Sequence, residues 1–142
     1  AVRLDRMRHQ LAWMNFPPER LEAVAHAIEA HSFSAGIAAE SLEAKIVQDA
    51  DRLDGLGAVG LARMFYIAGR MGSSLAHPDD PLGRGREFDD RSYALDHIAV
   101  KLAKLPGMMQ TAGGRALAEE RLARLLEFRE EFAAESGGMA DS

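Results

Sequence analysis

Cysteine is absent from the 142 residues, which excludes disulfides and thiolate metal sites. No apolar run approaches the roughly 18 residues that a membrane span requires. No long run of one charge sign occurs, and the formal net charge is -5. That balance argues against a nucleic-acid polymer or an anionic membrane as partner. It leaves room for an acidic small molecule, because a metal ion or a local basic strip offsets the global charge. No segment alternates apolar and polar residues with period two for long enough to make a strand. There is no internal repeat. The opening "AVRLDRMRHQ" is charged and amphipathic and lacks the apolar stretch of a signal peptide. A cytoplasmic protein is the expectation.

What is present is a helical pattern in a chain that is 47% hydrophobic and 27% charged, enough to fill the core of one all-α domain. The first helix is expected over about 2–14, with Leu4, Met7, Leu11 and Met14 on one face, and "NFPP" breaks it. Pro18 opens a second helix over about 18–31, which "SFSAG" ends. Ser41 opens a third over about 41–54. "DGLG" interrupts it, and a fourth runs over about 58–71 to Gly72. Residues 72–90 combine glycine, proline and acidic residues, and are expected to form a mobile loop, with His77 as a turn residue. A fifth helix is expected over about 91–105, stopped by Pro106, and a sixth over about 112–136, with residues 137–142 as a frayed tail. Trp13, Met64, Met71, Met108 and Met109 are expected to pack.

The stretch "KIVQDADRLDGLGAVGLARMF", residues 45–65, places Asp49, Asp51 and Asp54 among apolar residues. At about 100° per residue, Leu42, Ile46, Ala50 and Leu53 define an apolar arc. Asp49 and Asp54 project within the apolar side, and Asp51 lies at its rim. A buried carboxylate costs several kcal/mol unless paired or metal-bound. Each aspartate therefore meets an arginine, a helix N-terminus or a bound cation, and helix geometry alone does not choose which aspartate would be the ligand.

In "HAIEAHSFS", His26 and His31 stand five residues apart, about 140° on a helix, so they do not chelate one ion as an i, i+4 pair does. His31 projects toward the apolar side at a helix end and either caps the helix or holds an anion. His26 projects away. On the expected fifth helix His97, Lys101 and Lys104 share a face, which is either a solvated basic strip or a surface that steers phosphate.

Three segments, "HAIEAHSFSAG", "LEAKIVQDADRLDGLGAVGLAR" and "YALDHIAVKLAKLP", closely resemble the HD superfamily of metal-dependent phosphohydrolases, most of all bacterial members with the extended "IVQDADRLD" signature. The resemblance covers about residues 1–136 and implies an all-α bundle. It also implies a divalent cation, whether manganese, magnesium or another first-row metal, held by a histidine, an adjacent His-Asp pair and a distant aspartate. The distant aspartate corresponds to Asp51. No His-Asp pair stands before it, so the expectation is a chain that begins inside the domain, after the helices carrying the other ligands. His31 and Asp54 are the expected further groups of the catalytic site, and His26, Lys101 and Lys104 the expected substrate contacts. The implied function is hydrolysis of phosphate ester or anhydride bonds in a small phosphorylated molecule, with a nucleotide as candidate. A non-catalytic helical module for regulation or homo-oligomerisation is the competing reading.

Overall fold

The computed structural model describes residues 2–31 and 36–137, with side chains from Asp5 onward. Every regular element among the described residues is helical: α1 (Val2–Trp13), α2 (Pro18–Ala30), α3 (Leu42–Leu53), α4 (Gly57–Met71), α5 (Asp96–Val100) and α6 (Ala112–Gly137), with 3-10 turns at Leu102–Lys104 and Pro106–Met108. The residues expected to close α2, Ser32 to Ala35, and the expected tail after Gly137 lie outside the described residues. Two compact units are formed, Ala1–Asp51 and Arg52–Ser142, and the division falls within α3.

Local chemistry explains the helix ends. α1 stops one residue before its expected end. Asn15 adopts φ 56°, and the Phe16 amide donates to the Leu11 carbonyl at 3.0 Å. Ser41 caps α3 by accepting the Ala44 amide at 3.1 Å. Gly72, at φ 77°, closes α4, and the Ser73 amide returns to the Ala68 carbonyl at 3.0 Å, which a residue with a Cβ would resist. Thr111 accepts the Gly114 amide at 3.0 Å and starts α6.

In the first unit α1 packs on α2, and Arg8 pairs with Glu22 at 3.1 Å. Its small core is built of Ala30, Ala39 and Ala44, flanked by Ala27. The buried face of α3 is not the apolar arc that the sequence suggests. Ala44, Gln48 and Asp49 are buried, while Leu42, Ile46 and Val47 are exposed. Side-chain size and hydrogen bonding decide this face: Ala44 lies in the alanine core, and Gln48 donates through Nε2 to the Ala30 carbonyl at 2.8 Å. Trp13 is 86% exposed rather than packed. It lies about 200° around α1 from half-buried Leu11.

The second unit holds the larger core. Leu56, Met64, Leu95, Ile98, Leu102, Met109, Ala118 and Leu125 are buried together, each large side chain contributing about 1.5–3 kcal/mol. Phe65 meets Phe128 edge-on at 5.8 Å and stacks on Phe132 at 6.1 Å. The turn between α3 and α4 depends on glycine. A Cβ on Gly60 would overlap the Gly55 backbone. Gly57, at φ 72°, lies beneath Arg121, whose guanidinium donates to the Leu53 carbonyl at 2.9 Å. Met71, expected to pack, is exposed.

The expected fifth helix is a different structure. α5 has five residues, and the chain continues as two 3-10 turns, with Pro106 buried at the start of the second. The connection from α4 to α5 is irregular, as its composition suggests, but it is heavily bonded. A lone parallel bridge joins Ser74 and Tyr93. His77 Nδ1 accepts the Asp79 and Asp80 amides, both at 3.2 Å, as a turn residue does.

Candidate functional site

Of the three aspartates in the 45–65 stretch, only Asp49 is buried, at 2% exposure. Burial of a charge demands a partner, and Asp49 is engaged. Asp51 is exposed in the last turn of α3. Asp54 is exposed as well and pairs with Arg63. The inward projection of Asp54 fails because α3 ends at Leu53. Asp54 belongs to the turn, where the helical rotation no longer applies.

His26 and His31 are both half-buried. His26 Nε2 accepts the Glu40 amide at 3.0 Å, tying the segment before α3 to α2. His31 Nδ1 lies 2.5 Å from the Ile28 carbonyl. Since a carbonyl only accepts, Nδ1 carries the proton, and His31 closes the last turn of α2. This is the capping role considered for it, and Nε2 has no partner among the described residues.

The basic strip is dispersed. His97 lies in α5, whereas Lys101 and Lys104 follow it and are exposed. The shared face required a single helix over 91–105, and the 3-10 turns remove it. His97 is instead paired with Asp90 at 2.9 Å. Arg52 is half-buried and donates to the Met108 carbonyl at 2.6 Å.

Among the described residues no group of three or more His, Cys, Asp or Glu side chains is placed to hold a metal ion. Asp51 is an accessible carboxylate without the converging ligands that a tight transition-metal site needs. The residues described here do not by themselves fit a complete metal centre.

Sequence reasoning missed Arg86 and Asp96. Arg86 contacts both Asp96 oxygens, and Asp96 is fully buried. Their hydrogen bond raises the Arg86 pKa above its ordinary value, against the opposing effect of burial. No sequence pattern links them.

The HD domain family model matches residues 7–56, and the solved structure of an HD-superfamily hydrolase from Bacillus thuringiensis superposes with a TM-score of 0.74 at 32% identity, covering 93% of this chain and 61% of that one. The chain belongs to the HD superfamily. This HD protein is 40% identical over 123 residues to the uncharacterized protein YpgQ of Bacillus subtilis (strain 168), across 84% of this chain and 54% of YpgQ. The crystal structure of YpgQ superposes with a TM-score of 0.74 at 36% identity, covering 93% and 63% of the two chains. YpgQ has also been crystallised in complex with ADP, and that structure gives a TM-score of 0.73 at 34% identity, covering 93% and 61%. The HD chain thus spans about half the length of its curated relative and under two thirds of these solved chains. Among the described residues no helix is long and apolar enough to cross a membrane.

Proposed function

We propose that the protein is a metal-dependent phosphohydrolase that cleaves phosphate ester or anhydride bonds of a small molecule, with nucleotides as the substrate class. The observation that carries this reading is the HD-domain match over residues 7–56, which contains the accessible Asp51 of "DADRLD". The hydrolase from B. thuringiensis supports the reaction class, and ADP in a YpgQ structure supports the substrate class.

When bound, a divalent cation supplies Lewis-acid activation and a water of lowered pKa. Asp51 would offer it one carboxylate ligand, in company with others. His31, with Nδ1 committed to Ile28, presents Nε2 to a phosphate or a water. Asp54 is neutralised by Arg63 and shapes the field near the end of α3. His26 acts through Glu40 by fixing the segment that precedes α3. Lys101 and Lys104 attract an anionic substrate as exposed point charges.

The deciding experiment is a phosphate-release screen over nucleoside mono-, di- and triphosphates, with manganese and magnesium, on protein carrying a complete ligand set. Metal-dependent release that Asp51→Asn removes is the expected result; release indifferent to metal, or none on any nucleotide, refutes the reading. The absence of a ligand cluster among the described residues favours a second reading, a non-catalytic helical module for regulation or homo-oligomerisation. It predicts self-association or partner binding without turnover.

A further inference from the structure

The second unit contains a cleft of about 260 Å³ that the phosphoryl chemistry does not use. Its lining combines Met64, Ile67 and Met71 of α4 with Asp90, Arg91 and His97. Ile67 and Met71 are exposed beside these polar groups. An apolar lining with a few polar side chains is the usual make-up of a small-molecule site. Two methionines form an adaptable surface that favours contact with aromatic rings. The volume falls below the roughly 300–1,000 Å³ of pockets that take drug-sized ligands, so it suits one ring system rather than an extended molecule.

The polar groups are held in place. Asp89 accepts the Arg91 and Ser92 amides at 3.1 and 3.2 Å, and Ser73 Oγ donates to the Arg91 carbonyl at 2.6 Å. His97 Nδ1 lies 2.9 Å from Asp90. An ionised carboxylate only accepts, so Nδ1 carries the proton, and in the neutral ring Nε2 is an acceptor. Nε2 has no partner among the described residues.

We propose that this cleft binds the heterocyclic base of a nucleotide. The ring lies against Met64 and Met71, an exocyclic amino group donates to His97 Nε2, and the phosphate, outside the cleft, meets the exposed Arg91. Asp90 is a positioning residue that fixes the acceptor tautomer. The choice of a nucleotide rests on the substrate class proposed above.

The test uses the 142-residue chain with 13C-labelled methionine methyl groups, titrated with adenosine, purine riboside and AMP. The methyl signals of Met64 and Met71 are expected to move. Adenosine should bind about tenfold more tightly than purine riboside, which lacks the amino group. His97→Phe should abolish that preference, and Arg91→Gln should abolish any advantage of AMP over adenosine. Asp90→Asn should weaken adenosine binding, with imidazole 15N shifts reporting a proton transferred toward Nε2. If adenosine leaves both methyl signals unmoved, or binds no better than purine riboside, the proposal is overturned, whatever the phosphate-release screen gives. If the signals move and the preference holds but no phosphate is released, the cleft stands and the enzyme reading falls.

Discussion

Arg86 grips both carboxylate oxygens of Asp96, with Nη1 to Oδ2 at 2.6 Å and Nη2 to Oδ1 at 2.8 Å. The same guanidinium donates through Nε to the Asp80 carbonyl at 3.1 Å and through Nη1 to the Glu87 carbonyl at 3.1 Å. It also sits over the Tyr93 ring at 5.0 Å. Asp96 accepts the Asp89 amide at 2.8 Å as well. A single ion pair therefore ties the long α4–α5 connection to the first residue of α5, beside the core.

Arg86→Met should lower unfolding stability by about 3–5 kcal/mol, because it leaves a buried carboxylate uncompensated. Urea denaturation followed by circular dichroism measures this. Hydrogen exchange at the amides of Arg84, Gly85 and Asp89 should be slow in the parent and fast in the variant, contrary to the mobile loop that composition alone suggests. A change below about 0.5 kcal/mol would mean that the pair adds little.

Gly60→Ala should destabilise the second unit by about 1–3 kcal/mol, the usual cost of overpacking, since the new Cβ meets the Gly55 backbone, which has no flexible end to yield. Gly69→Ala, on the same helix but with open space around it, should raise stability by a few tenths of a kcal/mol to about 1 kcal/mol. Thermal melts of the two variants compared in parallel check the contrast.

Asp51→Asn should reduce metal-dependent phosphate release by more than about 100-fold in protein that turns over, since even groups that only orient metal ligands cost 10–100-fold. Stability should change by less than about 0.5 kcal/mol, as expected for an exposed side chain. Equal turnover in variant and parent across a manganese titration would strip Asp51 of its proposed role.

The 142-residue chain alone should show no stoichiometric submicromolar binding of manganese. The described residues bring no three candidate ligands together. Isothermal titration calorimetry with manganese chloride decides, and a tight one-to-one site would require a ligand set that the fold does not display.

Acid should loosen the α4–α5 connection before the helices. Asp80 has its pKa held below 3.8 by the Gly85 and Arg84 amides, and Asp89 below 3.8 by the Ser92 hydroxyl and amide. These bonds stabilise the folded chain above the unfolded-state value near 3.8. The contribution is lost as pH falls through the lower folded-state values. Protection factors in 80–92, taken against the intrinsic exchange rate at each pH, should fall below pH 3.8 and stay flat between pH 5 and 7.

Much of the fold was legible because helix ends are written in local chemistry. Pro18, Ser41 and Gly72 each stand at an end for a reason visible in the residue itself. The face of α3 was not legible, because a helical projection weighs hydrophobicity, while Ala44 and Gln48 act through small size and an amide bond. The fifth helix was overextended because the 91–105 pattern contains no breaker. The Arg86–Asp96 pair and the Asp90–His97 pair join residues ten and seven positions apart across irregular chain, which periodicity cannot register. Asp51 stood out through its motif, and its geometry adds only that it is accessible.

The amide of Gln48, bonded to the carbonyl that ends α2, acts as a ruler along the chain. A residue added between His31 and Ser41 lengthens the connection and leaves the ruler unchanged. A residue added between Gln48 and Asp51 swings the aspartate about 100° around its helix while Gln48 stays anchored. Natural length variation in such chains should therefore gather before Ser41 and be excluded between Gln48 and Asp51.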